Sequence, residues 1–427
     1  MSSSIPTNLS PLLRESGLDA EWTASQNTMA AGRPPFLLPD PIAENAGWAG
    51  LEPDAINALQ NAAARIAADA DLTRLAWHCH HLLFLSETYE RRNLRSWPMF
   101  VDLLGEHCGA FYLLIALSGL PQTRAFHRSR SVPDRVARNT YGDTAIWARQ
   151  YRKIGILQNG GFEHPSRPGI WGISPRALSW LCNHLCGDLF RLERLQFIQR
   201  PYRSEFLAFR NRKTGRVHLL ADGSIRFRAD GQVDGTGGMA DSKTGWTSRL
   251  RTQKDGVVGT PIHPEGRALP GEVVLPPDTW EPILSPGDPI LEIHIPEDGP
   301  MDFDACGASF RKAVEFFPQH FPDRPFRAFC CTSWLLDPQY QTLLSGRSNI
   351  VRFQRECYLF PRASPGGRSG LERIFGPHAK DLSTAPRDTR LRRAVLDHLN
   401  GGGHLKSGGA LIFPEDLNWG ERVYLEA

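Results

Sequence analysis

Two adjoining segments decide the fold: DPILEIHIPEDGPMDFDACGASFRKAVEFFPQHF (288–321) and FRAFCCTSWLLDPQYQTLLSGRSNIVRF (326–353). From Pro289 to Ile295 the chain alternates, with Ile290, Glu292 and His294 on one face of a strand and Leu291, Ile293 and Ile295 on the other. Burying one face accounts for the apolar set. It leaves a carboxylate and an imidazole side by side on the opposite face. Pro296 ends the strand because it has no N–H to donate. Asp302 or Asp304 can cap a following helix whose Cys306, Phe310, Ala313, Val314 and Phe317 recur at helical spacing. Phe326–Trp334 is the next strand, and Asp337-Pro338 opens the next helix. Strand, crossover helix and strand of this length predict a parallel βαβ unit. Polar residues at the carboxyl ends of such strands mark where open α/β sheets place their sites.

Outward from this unit, 427 residues with 41% hydrophobic and 10% aromatic content are a globular composition with room for two or three domains. The net charge of +3 is nearly balanced and does not point to nucleic acid. Only seven of the 49 basic residues are lysine, a bias that follows from a GC-rich genome or from arginine's fit to planar anions. The eight cysteines form no C-x-x-C pair and fit reduced, buried thiols in a cytoplasmic protein. The N-terminus lacks a basic-then-apolar signal pattern, and the apolar run Phe111–Leu117 is too short for a membrane span. No membrane partner is expected.

Residues 1–50 are polar, then proline-rich, and are expected as an extended lead-in. Residues 51–153 carry helical patterns uninterrupted by strand and form a helical domain. A glycine- and proline-rich loop follows Gly155, and Ser174-Pro175 starts a helix with a cap and an N1 proline. Phe190–Ile198 is a strand candidate, and Glu205–Phe209, Val217–Ala221 and Ile225–Arg228 predict an antiparallel meander. Trp246–Arg251 and Val257–His263 suit one more hairpin. These belong to a mixed domain over 154–363. Residues 364–427 form a C-terminal extension, with a helix at Asp388–Leu399 and a last strand at Ala410–Phe413. The class is α+β.

Several blocks together resemble a known family: Trp171, Leu195-Gln196-Phe197, His294-Ile295-Pro296, Ser309 with Ala313 and Phe316-Phe317, Ser333-Trp334-Leu335-Leu336-Asp337-Pro338, and Ser348-Asn349-Ile350 with Phe353. The chain is similar over residues 50–413 to a bacterial two-domain acyltransferase family, in which a helical N-acyltransferase N-terminal domain precedes a GNAT-like C-terminal domain. The resemblance implies a splayed strand pair, here Leu291–Ile295 and Phe329–Ser333. A thioester's pantetheine arm would lie between the strands, lined by Ile293 and Ile295. It implies no permanently bound cofactor, acyl-CoA or an acyl carrier protein as donor, and a small-molecule amine as acceptor; the acceptor is expected at the domain junction, a common place for small-molecule sites. The sequence departs from the GNAT pattern where a glycine-rich loop would hold the pyrophosphate. Here the loop is Pro296–Asp302, whose two prolines remove donors and whose carboxylates repel phosphate. A second departure is Glu193, where glycine is usual.

Acyl transfer to an amine needs a base, donors for the oxyanion and charge compensation at the leaving thiolate. His294 or Glu292 is the candidate base, since imidazole titrates near neutrality; the alternative is a strand-end histidine bonded to a carbonyl. Tyr340 is the candidate acid, or else an amphipathic surface tyrosine. Ser333 and Asn349 are candidates to hydrogen-bond the thioester or the acceptor, or else caps and turn formers. Ser309 faces either donor or core. Cys330-Cys331 would permit a covalent acyl-enzyme, although buried structural thiols are the commoner case. Trp77-His78-Cys79-His80-His81 has two histidines on one helix face but no H-E-x-x-H, so a metal is not expected. Asp234–Gly238 is not followed by a helix and is no nucleotide fingerprint. The rival to an enzyme is a GNAT-like module that binds a ligand or carrier protein without turnover.

Overall fold

Leu72, Leu75, Ala76, Cys79, Leu82 and Leu83 recur at helical spacing along Ala70–Phe84, and all are buried. Asp69 starts this helix by accepting from the N–H groups of Asp71 and Leu72. The computed structural model, which describes residues 4–7, 9–154, 169–241, 243–364 and 367–425, divides into two units. The first comprises Met1–Leu192 with Pro296–Asp298, and the second Glu193–Ile295 with Gly299–Ala427. The loop expected over 155–168 lies outside the described residues.

The first unit is helical through its described length until the short strand Leu189–Leu192. Its central helix, Cys108–Ser118, is buried on every side. The longer helical stretch Val101–Ser129 has the length and hydropathy of a membrane span, yet 78% of its most apolar window is covered by the fold. It is the core helix of the unit. The lead-in departs from expectation. Ser10–Glu15, Trp22–Asn27 and Pro39–Trp48 are helices, and Leu9, Leu13, Leu18, Trp22, Ile42 and Ala46 join the core. Its polar composition hid an apolar set at helical spacing.

The histidines of the Trp77–His81 run serve this packing. His78 bonds Ser25 Oγ at 2.7 Å and the Leu18 carbonyl at 2.6 Å, and His80 bonds Ser118 Oγ at 2.7 Å. No metal-ligand cluster occurs among the described residues.

In the second unit, five strands run in the order β1 (Leu195–Pro201), β2 (Pro289–His294), β3 (Ala328–Ser333), β5 (Gly408–Ile412), β4 (Tyr358–Pro361). β2 and β3 are parallel and joined by the helix Phe303–His320, as the alternation predicts. The other pairings are antiparallel. The closing strand is the one expected at Ala410–Phe413, and it inserts between β3 and β4. Gly409 permits this, since a Cβ there would lie 2.0 Å from the Phe360 ring.

A second, antiparallel sheet contains Phe206–Asn211, Val217–Ala221, Gly256–His263 and Trp280–Leu284. The first two form the expected meander hairpin, and Gly256–His263 pairs with Leu250–Gln253 as a further hairpin. Arg226–Phe227 leaves the meander to pair with Trp246–Thr247. The two sheets enclose one core that includes Phe206, Leu219, Ile262, Ile290, Cys330, Phe360 and Leu411. Tyr358 bridges them, donating to the Ile262 carbonyl at 2.5 Å and accepting from the Leu219 N–H at 3.3 Å. On the opposite face of the first sheet, Phe197, Phe310 and Phe329 meet edge to face, with centroids 5.0–5.9 Å apart. Such pairs add about 1 kcal/mol each to the burial of the rings.

The strand expected over 190–198 is two strands with a turn between them. At that turn Glu193 has φ +55°, a left-handed conformation that costs a residue with a Cβ about 1 kcal/mol. Its carboxylate pairs with Lys312 on the crossover helix.

Two stability predictions follow from these features. Burial pulls His78, His80 and His127 down to about 4 from the ordinary 6.5. The unfolded chain therefore binds more protons between these values, and stability present at neutral pH is lost as pH falls from about 6.5 to about 4. The loss reaches about 3 kcal/mol per histidine. Denaturant titrations across this window should show that slope, and His80→Gln should flatten it. At the turn, Glu193→Gly and Glu193→Ala both remove the Lys312 pair, but only glycine removes the strain. Urea unfolding should find the glycine variant the more stable by about 1 kcal/mol.

Candidate active site

The β2–β3 ladder pairs Ile290 with Ala328, Leu291 with Phe329 and Glu292 with Cys330, and stops there. Both strands continue, β2 to His294 and β3 to Ser333. Beyond the last pair, the Cys331 thiol donates to the Ile293 carbonyl at 3.6 Å. Beyond Glu292, β2 stays paired only to β1, through Ile293 with Phe197 and His294 with Gln196. A parallel ladder that ends before its strands do leaves unpaired backbone at the carboxyl edge of the sheet, where an extended ligand can pair or insert.

Glu292 and His294 stand on one face at this split. Their side chains are 39% and 30% exposed, and His294 Nε2 lies 3.6 Å from Glu292 Oε1. Burial pushes the Glu292 carboxyl above its ordinary 4.5, against the pull of Arg200, Arg362 and Arg203. Arg200 sits opposite Ile290 on β1, and Arg362, just past β4, donates to Thr332 Oγ1 at 3.0 Å. The result is a half-buried carboxylate whose proton affinity is raised, paired with an imidazole and ringed by guanidinium groups. That arrangement can accept a proton from an incoming ammonium.

The other residues singled out in the sequence divide. Ile293 is buried, and Ile295 is half-buried where β2 ends. Ser333 accepts from the Leu335 N–H at 3.1 Å and caps the turn Trp334–Leu336, the bland role. Asn349 is the first residue of the helix Asn349–Arg355. Ser309 has all its bonds inside the fold. Its hydroxyl accepts from the N–H groups of Arg194 (3.0 Å) and Leu195 (3.2 Å) and donates to the Ala305 carbonyl (2.8 Å). It ties the crossover helix to the start of β1 rather than facing a donor.

Tyr340 is not on the Glu292–His294 face. It is 1% exposed, in an apolar cluster with Ile374, Phe375, Val395, Leu396 and Leu405, and burial pushes its hydroxyl well above 10. Apolar residues of the C-terminal extension, far along the chain, cover it, so neither the surface reading nor the acid reading foresaw its surroundings. Cys330 is buried and pushed up to about 12, and Cys331 is pushed higher still. Burial of this kind favours the thiol over the nucleophilic thiolate.

Around the two strand ends, the sequence foresaw the Asp302 cap but not the ties made by Arg194, Asp337 and Gln354. Arg194 donates to the carbonyls of Gly299 (2.6 Å) and Pro300 (2.7 Å), turning them inward. Asp302 accepts from the Ala305 N–H at 2.8 Å and caps the crossover helix. Asp337 is fully buried and accepts from the backbone N–H groups of Lys406 and Gln339. Gln354 donates to the carbonyls of Leu335 and Asp337, so the SWLLDP block is a backbone scaffold for the end of β3. The Gly-rich stretch at 235–238 backs Arg362: Thr236 Oγ1 donates to the Arg362 carbonyl at 3.1 Å.

With this geometry in hand, comparison with known proteins is specific. A family model described as GNAT-like C-terminal domain matches residues 189–412, and one described as N-acyltransferase N-terminal domain matches residues 40–155. Among solved structures, an acyltransferase in complex with CoA and 10C-teicoplanin is 22% identical, covering 95% of this chain and 98% of its own, with a TM-score of 0.58. An acyltransferase in complex with decanoyl-CoA is 20% identical, with coverage of 97% and 99% and a TM-score of 0.58. A mutant acyltransferase in complex with octanoyl-CoA is 21% identical, with coverage of 95% and 98% and a TM-score of 0.57. No curated protein matches. The ladder that ends early between β2 and β3, the helical first unit and the two domain matches in order agree: this chain belongs to the acyltransferase family in which an N-acyltransferase N-terminal domain precedes a GNAT-like C-terminal domain.

Proposed function

We propose that the protein transfers an acyl group from acyl-CoA directly to the amine of a small-molecule acceptor. The observation that carries this reading is the early end of the β2–β3 ladder with Glu292 and His294 standing at it. The thioester arm lies between the diverging strands along Ile293 and Ile295, and the acceptor approaches the face that bears the pair. Glu292, with His294 beside it, takes the ammonium proton. The neutral nitrogen attacks the thioester carbonyl and the C–N bond forms; the adduct's nitrogen then gives up its second proton to solvent, the C–S bond breaks to leave the amide, and the thiolate takes a proton from solvent. No covalent enzyme intermediate is involved, in keeping with the buried, protonated Cys330 and Cys331. Acyl-CoA is favoured over an acyl carrier protein because structural neighbours were solved with octanoyl-CoA, decanoyl-CoA or CoA. One of those structures also holds 10C-teicoplanin, and a further acyltransferase structure holds decanoyl-CoA and teicoplanin, which supports a small-molecule acceptor.

The test is release of free thiol from octanoyl-CoA and decanoyl-CoA across a panel of amines, with the acylated product identified by mass. Turnover is expected to fall about 100-fold or more in Glu292→Gln, and likewise in His294→Ala, within the range for loss of a general base. Cys330→Ala and Cys331→Ala should keep turning over in protein that remains folded. Thiol release only from an acylated carrier protein would overturn the CoA donor. An acylated cysteine trapped on the enzyme would overturn direct transfer.

A further inference from the structure

Away from the Glu292–His294 pair, a cleft of about 140 Å³ opens between the segment that precedes the helix Asn349–Arg355 and the start of the helix Arg390–Asn400. Leu344, Ser345, Arg347 and Ser348 line one side, and Arg390 and Leu391 the other. No carboxylate lines it. Nearby arginines are matched: Arg387 pairs with Asp397 and Arg392 with Asp388. Arg347 and Arg390 have no ion pair or side-chain hydrogen bond among the described residues. A third guanidinium, that of Arg355, packs across Gly346, where a Cβ would come within 3.3 Å of it. Ser348 precedes its helix without using its hydroxyl as a cap. Two unmatched guanidinium groups, flanked by serine hydroxyls and walled by leucine, have the chemistry to hold a phosphate ester.

The location suits a donor. The cleft lies on the chain that leaves the carboxyl end of β3, the end at which the β2–β3 ladder opens. The helix that follows it packs on the crossover helix. At the start of the crossover helix a phosphate would meet the Asp302 carboxylate, which already accepts from the Ala305 N–H, and a second negative charge from Asp304 in the first turn.

We propose that this cleft is the seat of a phosphate at the nucleotide end of the donor, held by Arg347 and Arg390. The inference rests on the acyl-CoA reading above and adds where the phosphate is bound. The test titrates the full chain calorimetrically with adenosine 3′,5′-bisphosphate, which carries no thioester, and with inorganic phosphate. It then repeats both with the Arg347→Gln/Arg390→Gln double variant and with Arg347→Lys.

Wild type is expected to bind the bisphosphate, the double variant at least tenfold more weakly, and Arg347→Lys in between, with affinity falling as salt rises. In kinetics, the wild-type preference for acyl-CoA over the matching acyl-pantetheine, measured as a ratio of kcat/KM values, should shrink in the double variant. Equal affinity in wild type and double variant overturns the proposal, as does absence of bisphosphate binding by the wild type. Inorganic phosphate binding as tightly as the bisphosphate would reduce the cleft to a simple anion site and overturn the nucleotide assignment. Bisphosphate binding that depends on the two arginines, without acyl transfer from any acyl-CoA, would sink the proposed function and leave the subsite standing.

Discussion

The second unit depends on one unfinished ladder. β2 and β3 share three residue pairs and their ladder ends there; beyond Glu292 and Cys330 the Cys331 thiol reaches the Ile293 carbonyl in place of a backbone pair. Unpaired backbone at a sheet is costly unless water or a ligand satisfies it. Packing flanks this point of the sheet on both faces. The cluster of Phe197, Phe310 and Phe329 fixes the crossover helix on one face, and the second sheet covers the base of the other.

Polar ties then hold the loops at the edge of the gap. Ser309 satisfies two backbone N–H groups at the start of β1, and Arg194 turns two carbonyls of the acidic loop inward. Asp337 and Gln354 do the same for the chain after β3. Each is buried, so removing it would leave donors or acceptors without partners, at roughly 1–3 kcal/mol apiece. Several residues of the family blocks therefore serve the scaffold. Glu292 and His294 stay accessible enough to meet a substrate. The acidic loop, which a sequence comparison marks as a departure, is tied down through Asp302 and Arg194 and sets the carboxylates of Asp302 and Asp304 at the start of the crossover helix.

Much of this was legible in the residues. The alternation Ile290–His294 gave the strand and placed Glu292 and His294 on one face, and the helical stripe to Phe317 gave the crossover. The turn at Glu193 was harder, because nothing in Phe190–Ile198 except a missing glycine marks a left-handed residue. Ile290 shares its face with Glu292 yet is buried, since the second sheet covers only the first part of that face. Tyr340 and Ser309 carried polar atoms in positions that local pattern could not resolve. The C-terminal cluster encloses one, and the β1 turn uses the other.

The sequence alone determined element type and facing, because side-chain periodicity is a local property of the backbone. It placed the candidate base pair, the parallel unit and the helical first region by that means. Tertiary structure alone decided where β2 and β3 stop pairing, that β5 inserts between β3 and β4, and that Arg347 meets Arg390 across a cleft. Those are contacts between segments distant in the chain, set by the shapes that pack between them and invisible to local spacing.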